Sequence, residues 1–144
     1  MKMVDVGQKP KTERVATARG RVAMSPESVA RVRQGEVEKG DVLAAARLAG
    51  IMAVKRTPDL VPLCHPIAIS GAEVTLELGP EAIEIAATVR TVERTGVEME
   101  ALTAVSAAAL CIYDMLKSGD RGMRIEAVRV THKAGGRSGT FDQD

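Results

Sequence analysis

Polar and apolar residues alternate loosely from Glu13 to Met24 with no proline among them, and this two-residue period predicts a strand carrying Arg14, Arg19 and Arg21. Ser25-Pro26-Glu27 then offers an N-cap, a first-turn proline and an acidic residue. Val29 and Val32 share a face and Gly35 supplies a stop, so a short helix is expected there. Asp41 can cap a longer helix reaching about Arg56, with Val42, Ala46, Ala49 and Ala53 as its apolar stripe and Thr57-Pro58 as its end. Leu60 to Pro66 holds too many prolines for regular structure and is expected to be an ordered, irregular loop.

Strict alternation from Glu73 to Leu78 resumes from Ile83 to Arg90 after Gly79-Pro80-Glu81, the pattern of a β-hairpin with one buried face. From Val97 to Lys117 the period changes: Leu102, Val105, Ala109, Ile112 and Leu116 recur at helical spacing, and Gly119 closes the helix. Arg124 to Thr131 alternates once more, and the glycine-rich tail after it is expected to be flexible without a ligand. The order β-α-α-β-β-α-β matches an α+β sandwich of ferredoxin-like type. In that fold helices cover one face of a four-stranded antiparallel sheet, and the early helix is an addition to it.

A chain of 144 residues fits one domain, read as 1–144 with flexible ends at 1–10 and 134–144. Tyr113 and Phe141 are the only aromatic residues, so the core must be built from aliphatic side chains and flat base-stacking surfaces are scarce. A net charge of +1 provides no global field for nucleic acid or an anionic membrane, which leaves small molecules as the expected partners. Cys64 and Cys111 stand far apart and make no disulfide framework. With no secretory signal and no run of 18 apolar residues, a cytoplasmic protein is expected.

Lys39 lies just ahead of the second helix, where the dipole disfavours a cation by roughly 0.3–1 kcal/mol. A bound phosphate would compensate it, with Gly40 allowing close approach; a solvated lysine reads equally well. Asp114 and Lys117 are three residues apart and share a face, which by itself suggests a surface ion pair worth roughly 0.2–0.5 kcal/mol. A second lysine nearby would instead make the pair candidates for proton transfer. Glu98 and Glu100 suit the first turn of their helix and point to different sides, so at most one easily faces a ligand. His65, in the proline-bounded loop, reads as a ligand contact rather than as half of a Cys64-His65 nucleophile pair, and no spacing suggests a metal site. Lys133 and Arg137 with their glycines could wrap a polyphosphate.

Four stretches carry a family resemblance: KGDVLAAARLAGI from Lys39, PLCHP from Pro62, GVEMEAL from Gly96 and YDMLK from Tyr113. MVDV at Met3, KRTPDL at Lys55 and KAGGRSG at Lys133 extend it over nearly the whole chain. This combination resembles the cyclic pyranopterin monophosphate synthase (MoaC) family of molybdenum cofactor biosynthesis. The resemblance implies a lyase that turns a cyclised dihydroguanosine triphosphate into cyclic pyranopterin monophosphate and diphosphate, with no bound cofactor. It implies catalytic roles for Asp114, Lys39 and Lys117, and substrate contacts at Leu63, Cys64, His65, Met99 and Glu100, with Arg14, Arg19, Glu98 and Lys133 as further members. It also implies a homohexamer, a trimer of dimers. Glu100 and Asp114 lie about 21 Å apart along one helix, so a site using both would combine residues of two subunits, and the small residues Ala104 to Ala109 would allow close packing there. A nonenzymatic metabolite-binding module and an RNA-binding module of similar shape are the competing readings, the second short of the aromatic residues it needs on its strands.

Overall fold

In the computed structural model, which covers residues 1–144, the alternating stretches become β1 (Thr12–Ala23), β2 (Gly71–Leu78), β3 (Ala82–Glu93) and β4 (Arg124–Ala134). The helical periods become α1 (Pro26–Gln34), α2 (Val42–Val54) and α4 (Glu98–Leu116), with a single turn, α3 (Thr57–Leu60), between α2 and β2. Caps fall where the sequence puts them: the Ser25 side chain accepts from the Ser28 N–H, the Asp41 side chain accepts from the Ala44 N–H, and Gly35 closes α1 in the left-handed region.

The sheet order is β2-β3-β1-β4-β5, every neighbour antiparallel, and its first four strands reproduce the ferredoxin-like arrangement. The α+β sandwich expected from the element order therefore forms, with α1 as the addition. Two expectations need correction. Thr57-Pro58 does not merely end α2 but opens α3, because a proline in the first helical turn surrenders no needed N–H and the Thr57 hydroxyl donates back to the Ala53 and Val54 carbonyls. The tail adds a fifth strand, β5 (Phe141–Asp142), paired with His132 and Lys133. Gly135, Gly136 and Gly139 turn the chain back with positive φ.

α4 lies across β1, β3 and β4, and α2 packs on α4 and β2, so the helices share one face of the sheet. Twenty-four buried residues form a single cluster between the layers. The buried stripe of α2 is Val42, Ala46, Gly50 and Val54; Ala49 and Ala53, expected in it, are half-buried. Gly50 sits at a close approach of the two helices, where a Cβ would lie 3.0 Å from the Ala104 carbonyl oxygen, tighter than ordinary contact. Ala104, Ala108 and Ala109 are likewise fully buried and serve packing inside the chain, while Ser106 and Ala107 between them are half-buried. α4 is long and apolar enough to cross a membrane, but half of it is buried as the core helix.

Strand parity separates two arginines. Arg14 falls with Ala16, Ala18 and Val22 on the helix-covered face and is buried, whereas Arg19 is exposed on the opposite face, paired with Ala86 and Arg129. Gly135, at φ +95°, passes so close to β1 that an added Cβ would lie 2.1 Å from the Glu13 carbonyl oxygen. Gly135→Ala is therefore expected to lower stability by about 3 kcal/mol in urea unfolding. Gly139→Ala, with φ +68° but open space around it, is expected to lose only about 1 kcal/mol.

Candidate active site

Most of the candidate side chains gather at the two ends of α4. At its C-terminal end Asp114 receives two ammonium groups: Lys39 Nζ lies 2.8 Å from Oδ2 and Lys117 Nζ lies 3.0 Å from Oδ1. Lys39 also donates to the Asp114 carbonyl at 3.1 Å, helping to fill the acceptors left open where a helix ends. Lys39 reaches this place from the connection between α1 and α2, where Gly40 takes φ +112° before Asp41 caps α2. The anion that offsets Lys39 at the start of α2 is thus the Asp114 carboxylate within the chain itself.

The hydrogen bond from Lys39, reinforced by that from Lys117, holds the Asp114 carboxyl below the ordinary carboxylate range. All three side chains are about half exposed, so a ligand can reach them. One turn back, burial and then the Asp114 charge push the Cys111 thiol up. An open cleft of about 400 Å³ adjoins the cluster, lined by Tyr113, Lys117, Ser118 and Arg121. Two cations beside it suit an anionic group.

The second cluster surrounds the N-terminal end. Glu98 Oε1 and Lys133 Nζ pair at 3.0 Å with most of both side chains covered, and Lys133 also donates to Ser138 Oγ at 3.2 Å. The Glu98 carboxylate folds over Gly96, where a Cβ would lie only 2.4 Å from Oε1. Glu100 points elsewhere and is 2% exposed. Its Oε1 lies 3.8 Å from the Cys64 thiol, which donates to it, and its Oε2 has no partner. Burial, foremost, raises the pKa of both groups. Cys64 therefore turns to Glu100 rather than to the neighbouring His65 ring. Leu63 and Met99 are exposed beside this cluster and His65 is half-buried.

Arg14 stands behind that end of the helix. Its Nε donates to the Glu93 carbonyl at 3.0 Å and its Nη2 to the Arg94 carbonyl at 3.3 Å, clamping the turn that leads into α4. Arg19 joins neither cluster within one chain. Sequence reasoning missed two supports. Thr91 is buried and its hydroxyl donates to the Ala68 carbonyl, pinning the loop that carries Cys64 and His65. The signal for it was a hydroxyl at an inward position of β3, in step with Ile85, Ala87 and Val89. Gly96 was quoted only as part of a motif, although its missing Cβ makes room for Glu98. No three His, Cys, Asp or Glu side chains converge in the chain.

The MoaC family profile matches residues 3–136. The chain is 57% identical to the cyclic pyranopterin monophosphate synthase of Thermomicrobium roseum, over 99% of its own length and 87% of that relative. It is 58% identical to the synthase of Streptomyces griseus over 97% of the chain and 79% of the relative, and 55% identical to that of Pelotomaculum thermopropionicum over 99% and 85%.

Proposed function

The chain belongs to the MoaC family, and on that premise we propose that it is a lyase of molybdenum cofactor biosynthesis, converting a cyclised dihydroguanosine triphosphate into cyclic pyranopterin monophosphate and diphosphate. The observation that carries this reading is the carboxylate of Asp114 held between Lys39 and Lys117, about half exposed, beside a basic cleft. Forming a cyclic monophosphate with loss of diphosphate means that a hydroxyl oxygen of the substrate attacks its own α-phosphorus and the bond to the β-phosphate oxygen breaks. The hydroxyl gives up a proton and the leaving diphosphate gains negative charge. Lysines suit each need in a different form: as an ammonium group a lysine donates N–H bonds to the departing diphosphate oxygens, and as a neutral amine it takes the proton that the attacking hydroxyl gives up. Asp114, kept ionised, orients them.

The substrate-contacting residues in this reading are Leu63, Cys64, His65, Met99 and Glu100, with Glu98 and Lys133 behind them and Arg14 and Arg19 as further members. All of them except Arg19 lie toward the far end of α4 from Asp114, with Glu100 about 21 Å away along the helix, further than one small ligand spans. A complete site therefore combines the Asp114 end of one copy with the Glu100 end of another, within a homohexamer arranged as a trimer of dimers. Cytoplasmic residence fits the two free thiols.

Mixing separately impaired Lys39→Ala and Glu100→Gln chains tests this arrangement. Random reassembly is expected to recover about one quarter of the wild-type diphosphate release, because one pairing in four unites two intact halves. No recovery from fully mixed oligomers would refute shared sites. Substrate binding without any diphosphate release by the wild-type protein would make it a binder instead of an enzyme.

A further inference from the structure

We infer that Asp120 is a positioning residue for the Lys39–Asp114–Lys117 cluster: it clips helix α1 onto the turn after Lys117 and so sets the connection that brings Lys39 to Asp114. The inference rests on the catalytic reading of that cluster. Asp120 Oδ2 accepts from the Ser25 backbone N–H at 2.9 Å and from the Ser28 hydroxyl at 2.9 Å. Ser25 Oγ in turn donates to Ser28 Oγ at 3.0 Å and caps α1 by accepting from the Ser28 N–H at 3.2 Å. One carboxylate oxygen thus anchors both the chain entering α1 and its first turn.

This attachment matters because α1 has few others. Of its nine residues only Ser28 and Val29 are buried. A second contact lies on the same turn, where Gly119 is crossed so closely by Arg31 that an added Cβ would sit 2.4 Å from Nη1. α1 ends at Gln34, and after the Gly35 cap only Glu36, Val37 and Glu38 separate it from Lys39. The hydrogen bonds at Asp120 also hold its own carboxyl below the ordinary range, so the clip keeps its charge at neutral pH. Displacing α1 would shift Lys39, while Asp114 and Lys117, both on or beside α4, would stay.

The test compares Asp120→Ala with Asp120→Asn, whose amide oxygen can receive both donors because both converge on one oxygen. Asp120→Ala is expected to lower kcat by about 10- to 100-fold with little change in KM, the scale of an ångström of misplacement. Carbon NMR of the Asp114 carboxyl supplies a readout independent of turnover. The groups facing that carboxyl are Lys39 from the α1–α2 connection and Lys117 and Cys111 from α4 and its cap. With the Lys39 hydrogen bond weakened, Asp114 is expected to titrate nearer the ordinary carboxylate range in Asp120→Ala, and Asp120→Asn to restore most of both properties. If Asp120→Ala does not fold, Ser28→Ala removes only the hydroxyl arm and is expected to shift kcat and the titration the same way by less. Unchanged kcat and Asp114 titration in the folded variants, or an Asp120→Asn protein as impaired as Asp120→Ala, would overturn the inference. Full activity of Asp114→Asn would instead remove the catalytic reading and leave the titration to decide the positioning.

Discussion

Lys39→Ala is expected to reduce kcat by about 10²- to 10⁴-fold, the range typical of a positioned proton donor or acceptor, with Lys117→Ala and Asp114→Asn in the same range. Because the three groups act on one another, the losses should not add: the double variant Lys39→Ala/Asp114→Asn is expected to fall little below either single one. The pH profile carries a second signature. The Asp114 pKa is lowered, chiefly by the hydrogen bond from Lys39, so activity that needs the carboxylate persists through the ordinary carboxylate range and is lost only as pH falls through the depressed folded value. In Lys39→Ala the residual activity should lose its acid limb at higher pH, toward the ordinary aspartate range. Steady-state diphosphate release from pH 3 to 8 checks both statements. Near-normal turnover in all three single variants would end the proposed mechanism.

Glu100→Gln is expected to separate activity from stability. Glu100 is buried, one of its oxygens has no partner, and the other accepts from the Cys64 thiol. Its folded pKa is raised, with burial as the main cause. A carboxyl raised in this way is harmless below its unfolded pKa, and the fold loses stability as pH rises through the folded value. The neutral amide avoids that loss, so Glu100→Gln should match the wild type near pH 4 and exceed it by about 1 kcal/mol, or about 3 °C in Tm, near pH 8. Activity should drop about 10- to 100-fold, the worth of one charge-assisted hydrogen bond to the ligand. Thermal unfolding at the two pH values with parallel kinetics is the check, and a variant both less stable at pH 8 and fully active would contradict the whole account of this residue. Retaining a group that weakens the fold is what a binding role requires.

Much of the architecture is written in local periods, and those were readable. Alternation marks each long strand, the spacing from Leu102 to Leu116 marks α4, and Ser25 and Asp41 mark the helix starts. The partnership of Asp114 with Lys117 was also accessible, because three residues on a helix make neighbours. What escaped lies between distant segments. Lys39 meets Asp114 across 75 residues of chain and Cys64 meets Glu100 across 36, and no helical or strand period encodes such encounters. Family motifs named these residues without saying which would touch. The tail strand was hidden for a different reason: its turn passes close to distant residues, Gly135 to the Glu13 carbonyl and Gly136 to the Arg14 guanidinium, and a glycine-rich stretch carries no local sign of such passages. In α2 the stripe holds at Val42 and Ala46 and is displaced by one residue beyond them, because Gly50, whose missing Cβ reads as no apolar signal, takes the buried place beneath α4 in place of Ala49, and Val54 follows in place of Ala53.

With one cluster at each tip, α4 acts as a gauge rod. Its length sets the separation of the two clusters in steps of 1.5 Å, and each residue inserted or removed between Glu100 and Asp114 would also swing one tip about 100° around the axis relative to the other. No small adjustment is available, since a whole turn is needed to recover the original bearing. Variation in chain length is accordingly inadmissible along this rod.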